Sequence, residues 1–511
     1  MSEPLKTYQY FANNQWHDPS GGQWFETENP ANAKVWARVP DCGEADINRA
    51  VNAAKAAFYE GPWGKLLPAQ RGRVLRQIGD VITAHADRLG AVELRDNGRT
   101  SNIAPGLREG GWQVDSWHYY AGLCDKFEGS LIPAEMPNMH NYMKWEPFGV
   151  VALFLPWNAP IGTLIWKLSA ALAAGNTVVI KPSEHASCSV LELMDILTEA
   201  DILPPGVVNV VTGFGPTTGE PLVRHPDVRM VSFTGGTGGG RAVAALAAEQ
   251  VKPVVMELGG KSPQIVRADA DLDLAAKGIA GAIFPGGGQS CISGSRLLVH
   301  ADVIDDFTAR LAAIAKMAVV GPPSEPGTNI GPLANRAHYE SVRAKIDAAV
   351  DAGHELVLDG RTAQRESGYY VGPTIFANVP NSSILAQTEV FGPVASTEAW
   401  TDDDEAIRKA NDTPYGLAAG IWTADVALGM RMADQIEAGT VYINNYFNAA
   451  TQSPSAVTSS RAMAVKTGSK VCGASCKPSR SGWPRPPNKR IHSNRSEQET
   501  SCQTKNNASV H

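Results

Sequence analysis

Val150-Val-Ala-Leu-Phe-Leu-Pro-Trp-Asn-Ala-Pro160 joins an unbroken apolar run to a turn marked by two prolines. The apolar run predicts a strand buried on both faces, and the turn leads into a helical pattern over 164–174. Thr177-Val-Val-Ile180 reads as the next strand, 189–200 as a helix, and Val207-Val-Asn-Val-Val211 as a further strand. Residues 228–233 and 253–256 supply two more. Strand and helix alternating at this period predict parallel βαβ units, an α/β fold with a Rossmann-like sheet covered on both faces. Such sheets take ligands at the carboxyl ends of their strands, and the glycine-marked turns are expected there. Upstream, 46–96 reads as mostly helical, with Ala50, Val51, Ala53, Ala54, Ala57 and Phe58 at helix-face spacing. Beyond residue 291 a second α/β pattern follows, with strands at 295–300, 369–377, 394–400 and 417–422 and a helix at 303–316. No internal repeat is found.

The chain has 511 residues, too many for one simple core, so two or more domains are expected. No basic-then-apolar leader opens it, and no apolar run reaches membrane-spanning length, which leads to the expectation of a cytoplasmic protein with no membrane partner. The seven cysteines form no secreted disulfide framework. Cys472 and Cys476 lie close together but lack a matching histidine pattern, so no metal site is expected. The net charge of −7 conceals an asymmetry: residues 455–511 carry ten Lys or Arg against two Glu. The remaining body is acidic, which argues against nucleic acid as a partner.

Two glycine-rich motifs carry the chemistry. Gly286-Gly-Gly-Gln-Ser-Cys-Ile-Ser-Gly-Ser-Arg296 presents one cysteine in a turn, and Met256-Glu-Leu-Gly-Gly-Lys-Ser-Pro263 presents one carboxylate in another. A thiol nucleophile with a separate base for water fits this pair. Both motifs, in this order and spacing, resemble the aldehyde dehydrogenase superfamily, and the resemblance runs from about Tyr10 to Pro454. It implies oxidation of an aldehyde to the acid with NAD (NADP as the alternative), through a thiohemiacetal and a thioester on Cys291. Glu257 would activate water. Asn158 and the Cys291 backbone N–H would hold the oxyanion, and Lys167 would aid proton relay; a surface lysine is the plain alternative. CoA in place of water is a second reading of the chemistry, against which Glu257 argues.

Ser232-Phe-Thr-Gly-Gly-Thr-Gly-Gly-Gly-Arg241 follows a strand and opens a helix, where a helix N-terminus favours phosphate. It resembles the family's F-T-G-S-T-x-x-G turn, with Gly236 in place of the serine, at the loss of one hydroxyl hydrogen bond. In Ile180-Lys-Pro-Ser-Glu184, Lys181 and Glu184 resemble the residues that bind the adenosine ribose, and a carboxylate there favours NAD over NADP. In Thr388-Glu-Val-Phe-Gly-Pro393, Glu389 resembles the glutamate on the nicotinamide ribose, with Phe391 beside the ring; ordinary core packing is the plain reading of Phe391. The same resemblance places Pro156, Trp157, Gly215, Phe233, Gly235, Thr237 and Leu258 along the cofactor. Phe284, Ile292, Tyr446 and Phe447 are candidates for the mouth of the aldehyde tunnel.

By the resemblance, the NAD-binding domain comprises 1–124 and 148–256, the catalytic domain 257–454, and an oligomerisation hairpin 125–147 that would make a homodimer or homotetramer. Residues 455–511 contain no Leu, Phe, Tyr or Asp. Such a tail cannot bury a core and is expected to be disordered. Read one base out of register, with permitted codons, 454–467 gives F-G-G-Y-K-Q-S-G-Y-G-R-E-N, similar to the family's C-terminal motif. A frameshift at Pro454 is therefore expected, with a catalytically defective product as the rival to an active enzyme.

Overall fold

The computed structural model describes residues 5–100, 104–133, 135–136, 138–448, 451–452 and 476–484. Among these, the residues of 5–127 and 146–477 form one compact unit, and those of 128–145 and 478–484 form the other.

In the larger unit the apolar run Val150–Phe154 is a fully buried strand, and Pro160, at the first helical position, starts the helix Pro160–Ala173. A seven-stranded sheet grows from it in the order Val254–Glu257, Val228–Thr234, Val150–Phe154, Thr177–Lys181, Val208–Val210, Tyr10–Ala12, Gln15–His17. The first five strands run parallel, and the last two are an antiparallel extension that shows no strong period in the sequence. Register puts Lys181 opposite Phe154, Phe154 opposite Phe233, and Phe233 opposite Met256. The carboxyl ends thus form one level row. Helices Glu44–Tyr59, Pro68–Ala84, Ala86–Asn97 and Trp112–Leu123 precede its five parallel strands, in line with the helical reading of 46–96.

A second seven-stranded sheet has the order Glu355–Leu358, Thr374–Ala377, Val394–Trp400, Arg296–His300, Pro263–Val266, Ala418–Trp422, Thr440–Ile443. Only the edge strand Glu355–Leu358 is antiparallel. Two expectations need correction. Residues 369–373 are not strand; Tyr369 and Tyr370 are buried outside the sheet, their hydroxyls bonded to Glu28 and Ala31. The motif turns also do not all sit at carboxyl ends. Cys291 and Glu389 precede the strands Arg296–His300 and Val394–Trp400, at the amino ends of the second sheet. The cause is topological: Val254–Glu257 is the last strand of the first sheet in the chain, and after five intervening residues the same chain begins Pro263–Val266 of the second.

In the smaller unit Ser130–Ile132 pairs antiparallel with Met139–Pro147, Ser130 opposite Met143. A third strand, Cys476–Pro484, lies on the far side of Met139–Pro147. The expectation of a structureless tail therefore does not hold over these nine residues. An exposed strand offers unpaired N–H and C=O groups that recruit another segment, and prolines at 478 and 484 are tolerated at a sheet edge. Residues 453–475 and 485–511, including the frameshifted motif, lie outside the described residues.

Candidate active site

Three consecutive glycines, Gly286, Gly287 and Gly288, hold φ values of 64°, 69° and 68°, a path closed to most L side chains. A Cβ on Gly288 would overlap the Gly392 carbonyl. The turn thus lies against the Gly392–Pro393 backbone, and Cys291 is half-buried. Cys42, Cys124 and Cys188 are buried. Burial pushes the Cys42 thiol up to about 12 and raises Cys188 as well, so neither forms a thiolate near neutrality.

Glu257 ends its strand at 3% exposure. The glycines that follow are required by their neighbours: a Cβ on Gly259 would overlap the Glu389 carboxylate, and one on Gly260 would overlap the Cys291 carbonyl. The Gly260 N–H also donates to Glu389 Oε1 at 3.1 Å. Burial raises the Glu389 carboxyl to about 7, against the pull of Lys261 and Lys345. The Cys291 loop, the Glu257 loop and Glu389 therefore meet at two glycines.

Asn158 follows Pro156 and Trp157 in the turn after Val150–Phe154. Its Nδ2 donates to the Gln289 carbonyl at 2.7 Å, two residues before Cys291. An amide nitrogen carries two N–H donors, so one remains for an oxyanion. Lys167 is not a surface lysine: it is 7% exposed and its Nζ donates to Ser232 Oγ at 2.6 Å.

At the row of carboxyl ends, Gly236 caps the helix Thr237–Ala248. The Gly235 N–H donates to the Glu257 carbonyl at 3.1 Å, so this turn is tied to the strand Val254–Glu257. The Phe233 ring lies under it, its Cζ 2.7 Å from where a Gly235 Cβ would be and 3.1 Å from a Gly239 Cβ. Leu258 packs against Gly240 in the same way. Lys181 is buried, which lowers its ammonium pKa, and its Nζ stands 3.8 Å from Glu184. Gly215 opens the short helical turn Gly215–Gly219, whose Gly219 faces the Lys181 stem. A dinucleotide fits these residues. The glycine turn admits no Cβ over Phe233, the helix N-terminus faces the row, and Glu184 offers a carboxylate to ribose hydroxyls.

Phe391 holds a strained φ of 60°. His338, which the motifs do not flag, accounts for it. Its Nε2 donates to the Phe391 carbonyl at 2.8 Å, and its ring lies 4.8 Å from Trp157 and 5.8 Å from Phe391. Burial lowers His338 to about 4, so it is neutral near pH 7. Lys345 was equally illegible; its Nζ donates to the Glu389 carbonyl at 2.8 Å.

Of the candidates for the tunnel mouth, Phe284 is 4% exposed and sits in a hydrophobic core with Ile283, Leu297 and Phe307. Ile292 instead packs with Tyr442 and Tyr446, and the Tyr446 hydroxyl donates to the Ile292 carbonyl at 2.8 Å. Burial raises both tyrosine hydroxyls, and Cys291 nearby adds to it. Phe447 lies 5.3 Å from Tyr446. Trp112 and Trp166, 4.8 Å apart, add an aromatic pair beside Lys167.

The model of the aldehyde dehydrogenase family matches residues 16–457. A (Z)-2-((N-methylformamido)methylene)-5-hydroxybutyrolactone dehydrogenase of Acinetobacter baylyi is 39% identical over 448 residues, covering 86% of this chain and 90% of that one. A phenylacetaldehyde dehydrogenase of Pseudomonas fluorescens is 39% identical over 445 residues, covering 86% and 88%. The NAD+ complex of an aldehyde dehydrogenase from Bacillus cereus superposes with a TM-score of 0.90 at 35% identity, covering 94% of this chain and 97% of that one. With the site geometry, these findings establish that the chain belongs to the aldehyde dehydrogenase family and that its activity is the oxidation of aldehydes with NAD.

Proposed function

We propose that Cys291 is the nucleophile, Asn158 the oxyanion donor and Glu257 the base, in a hydrolytic rather than CoA-acylating enzyme. The observation that carries this reading is the pair Gly259–Gly260, which accommodates the Glu389 carboxylate and the Cys291 backbone within three residues of Glu257. The Cys291 thiolate forms a bond to the aldehyde carbon, and the carbonyl electrons move to oxygen, where the second Asn158 N–H and the Cys291 N–H meet them. NAD, when bound, supplies the hydride acceptor. Glu257 then takes a proton from water as that water displaces the Cys291 sulfur from the thioester carbon, releasing the acid. Lys181 and Glu184 hold the adenosine ribose, Glu389 the nicotinamide ribose, and Gly235, Gly236 and Thr237 the phosphates; Lys167 carries protons outward.

The substrate side is aromatic, with Tyr442, Tyr446 and Phe447 around Ile292, which favours an apolar or aryl aldehyde such as the phenylacetaldehyde of the Pseudomonas relative's name. Among the described residues no helix is long and apolar enough to cross a membrane. A cytoplasmic homodimer or homotetramer, assembled through the sheet of the smaller unit, is the accompanying reading.

Glu257→Gln tests the hydrolytic role. A burst of NADH stoichiometric with enzyme, followed by a stall, is expected. Free acid formed at the wild-type rate, or a wild type that needs CoA, overturns it.

A further inference from the structure

The helix Ala86–Asn97 ends against the turn that carries Asn158. Its C-cap Gly98 has φ 72°, and a Cβ there would lie 2.5 Å from Pro332 and 2.8 Å from Pro30, so the helix end has no room to slide. Three residues of this end bond the turn. Asn97, 2% exposed, donates from Nδ2 to the Trp157 carbonyl at 3.3 Å, and its Oδ1 accepts the Arg99 N–H at 2.9 Å. Arg99 Nη1 reaches the Asn158 carbonyl at 3.4 Å. Glu93, fully buried, accepts the Ile161 N–H at 3.4 Å, in the first turn of the helix Pro160–Ala173.

The carbonyls on both sides of the Asn158 Cα are thus held by the helix end, while its side chain is held by Gln289. Bonds of 3.3–3.4 Å are long and individually weak. Their value is orientation: fixing both peptide planes fixes where the Asn158 Cα–Cβ bond points. The helix end acts through Asn158.

We propose that Asn97 is a positioning residue for the oxyanion hole, aiming the Asn158 amide through the carbonyl of Trp157. The inference rests on the reading of Asn158 as the oxyanion donor. Asn97→Asp is the informative variant. It is isosteric and keeps the acceptor for the Arg99 N–H, but replaces the donor to Trp157 with an oxygen.

Three reactions of the full chain separate the possibilities. Aldehyde oxidation builds negative charge on the carbonyl oxygen. Acylation by p-nitrophenyl acetate does so as well, the Cys291 sulfur bonding to the acyl carbon as p-nitrophenolate leaves, with no hydride moved. Alkylation of Cys291 by iodoacetamide displaces iodide and builds no oxyanion. Asn97→Asp is expected to slow the first two in parallel by about ten-fold, while alkylation and NAD affinity stay within about two-fold. Unchanged ester acylation, or alkylation falling in step with it, overturns the proposal. Should Asn97→Asp fail to fold by circular dichroism, Arg99→Ala carries the same expectation through the Asn158 carbonyl. Asn158→Ala, run alongside, is expected to lose about 100-fold or more in ester acylation. If it loses nothing, the oxyanion reading itself falls, whatever Asn97 does.

Discussion

Gly259 lies against the Glu389 carboxylate so closely that a single methyl group would overlap it. Glu389 in turn accepts the N–H of Gly260, whose other face meets the Cys291 backbone. Gly259→Ala should therefore displace Glu389 and, through Gly260, the thiol loop. We expect a fall in kcat of about 100-fold, since misplacement by about 1 Å suffices for that. NAD affinity, measured by fluorescence titration, should weaken as well. An active Gly259→Ala enzyme with normal NAD binding would disprove the contact's importance.

Cys291→Ser should abolish aldehyde oxidation and leave NAD binding intact, because a hydroxyl is a far weaker nucleophile at neutral pH. Cys42→Ser, Cys124→Ser and Cys188→Ser should all turn over, whatever they cost in packing. NADH formation by the four variants decides the assignment.

Gly236 caps the helix Thr237–Ala248, and a Cβ there meets nothing within 4 Å. Gly236→Ser can thus be accommodated and restores the hydroxyl of the family's turn. One hydrogen bond is worth about 0.5–1.5 kcal/mol net, so the Kd for NAD should tighten by roughly two- to twelve-fold. Calorimetric titration reads this directly; weaker binding would place the phosphates elsewhere.

Three buried carboxyls share a direction of shift: burial raises Glu93 and Glu389 to about 7 and Asp96 to about 6. Each holds its proton in the folded chain at pH values where the unfolded chain has lost it. Between about pH 4 and 7 the folded state therefore binds more protons, and stability falls as pH rises. Their contribution is fully present below the unfolded pKa and lost by about pH 7. Melting curves of the apo protein from pH 5 to 8 should show the decline, and Glu389→Gln should flatten it. A Tm that rises across this window in both proteins contradicts the shift.

The family match ends at residue 457, three residues past Pro454, where the frameshift is inferred. Restoring one base at the Pro454 codon should give a more soluble chain that elutes as an oligomer and has higher specific activity. Size-exclusion chromatography and NADH assays of both chains test this. Equal solubility, assembly and activity in the unaltered protein would remove the frameshift's structural consequence.

What was legible in the sequence followed from strong local signals. The apolar runs at 150–155 and 177–180 and the helices between them needed only periodicity and a proline at a helix start. Cys291 and Glu257 were legible because their glycines are forced by contacts that any chain with this site must make. His338 and Lys345 were not, since each acts through a carbonyl oxygen brought to it by tertiary packing, and a carbonyl leaves no mark on residue type. Phe284 failed for the opposite reason: its position near the motif implied a lining role, but helix packing turned it into the core. Pro263–Val266 was missed because four residues after a glycine pair show too short a period, although the strand is central to its sheet.

The crossing from Val254–Glu257 to Pro263–Val266 is only five residues long, and it joins the sheet that offers the cofactor row to the sheet whose amino ends carry the thiol. Glu257 rides at the head of that bridge, and its own carbonyl is bonded to Gly235 on the cofactor side. The chain passes directly from one sheet to the other through Glu257. Its carbonyl holds the Gly235 turn, and three peptide bonds further on Gly260 meets the Cys291 backbone. The glycine turn of the first sheet and the cysteine loop of the second are thus tied to one short bridge.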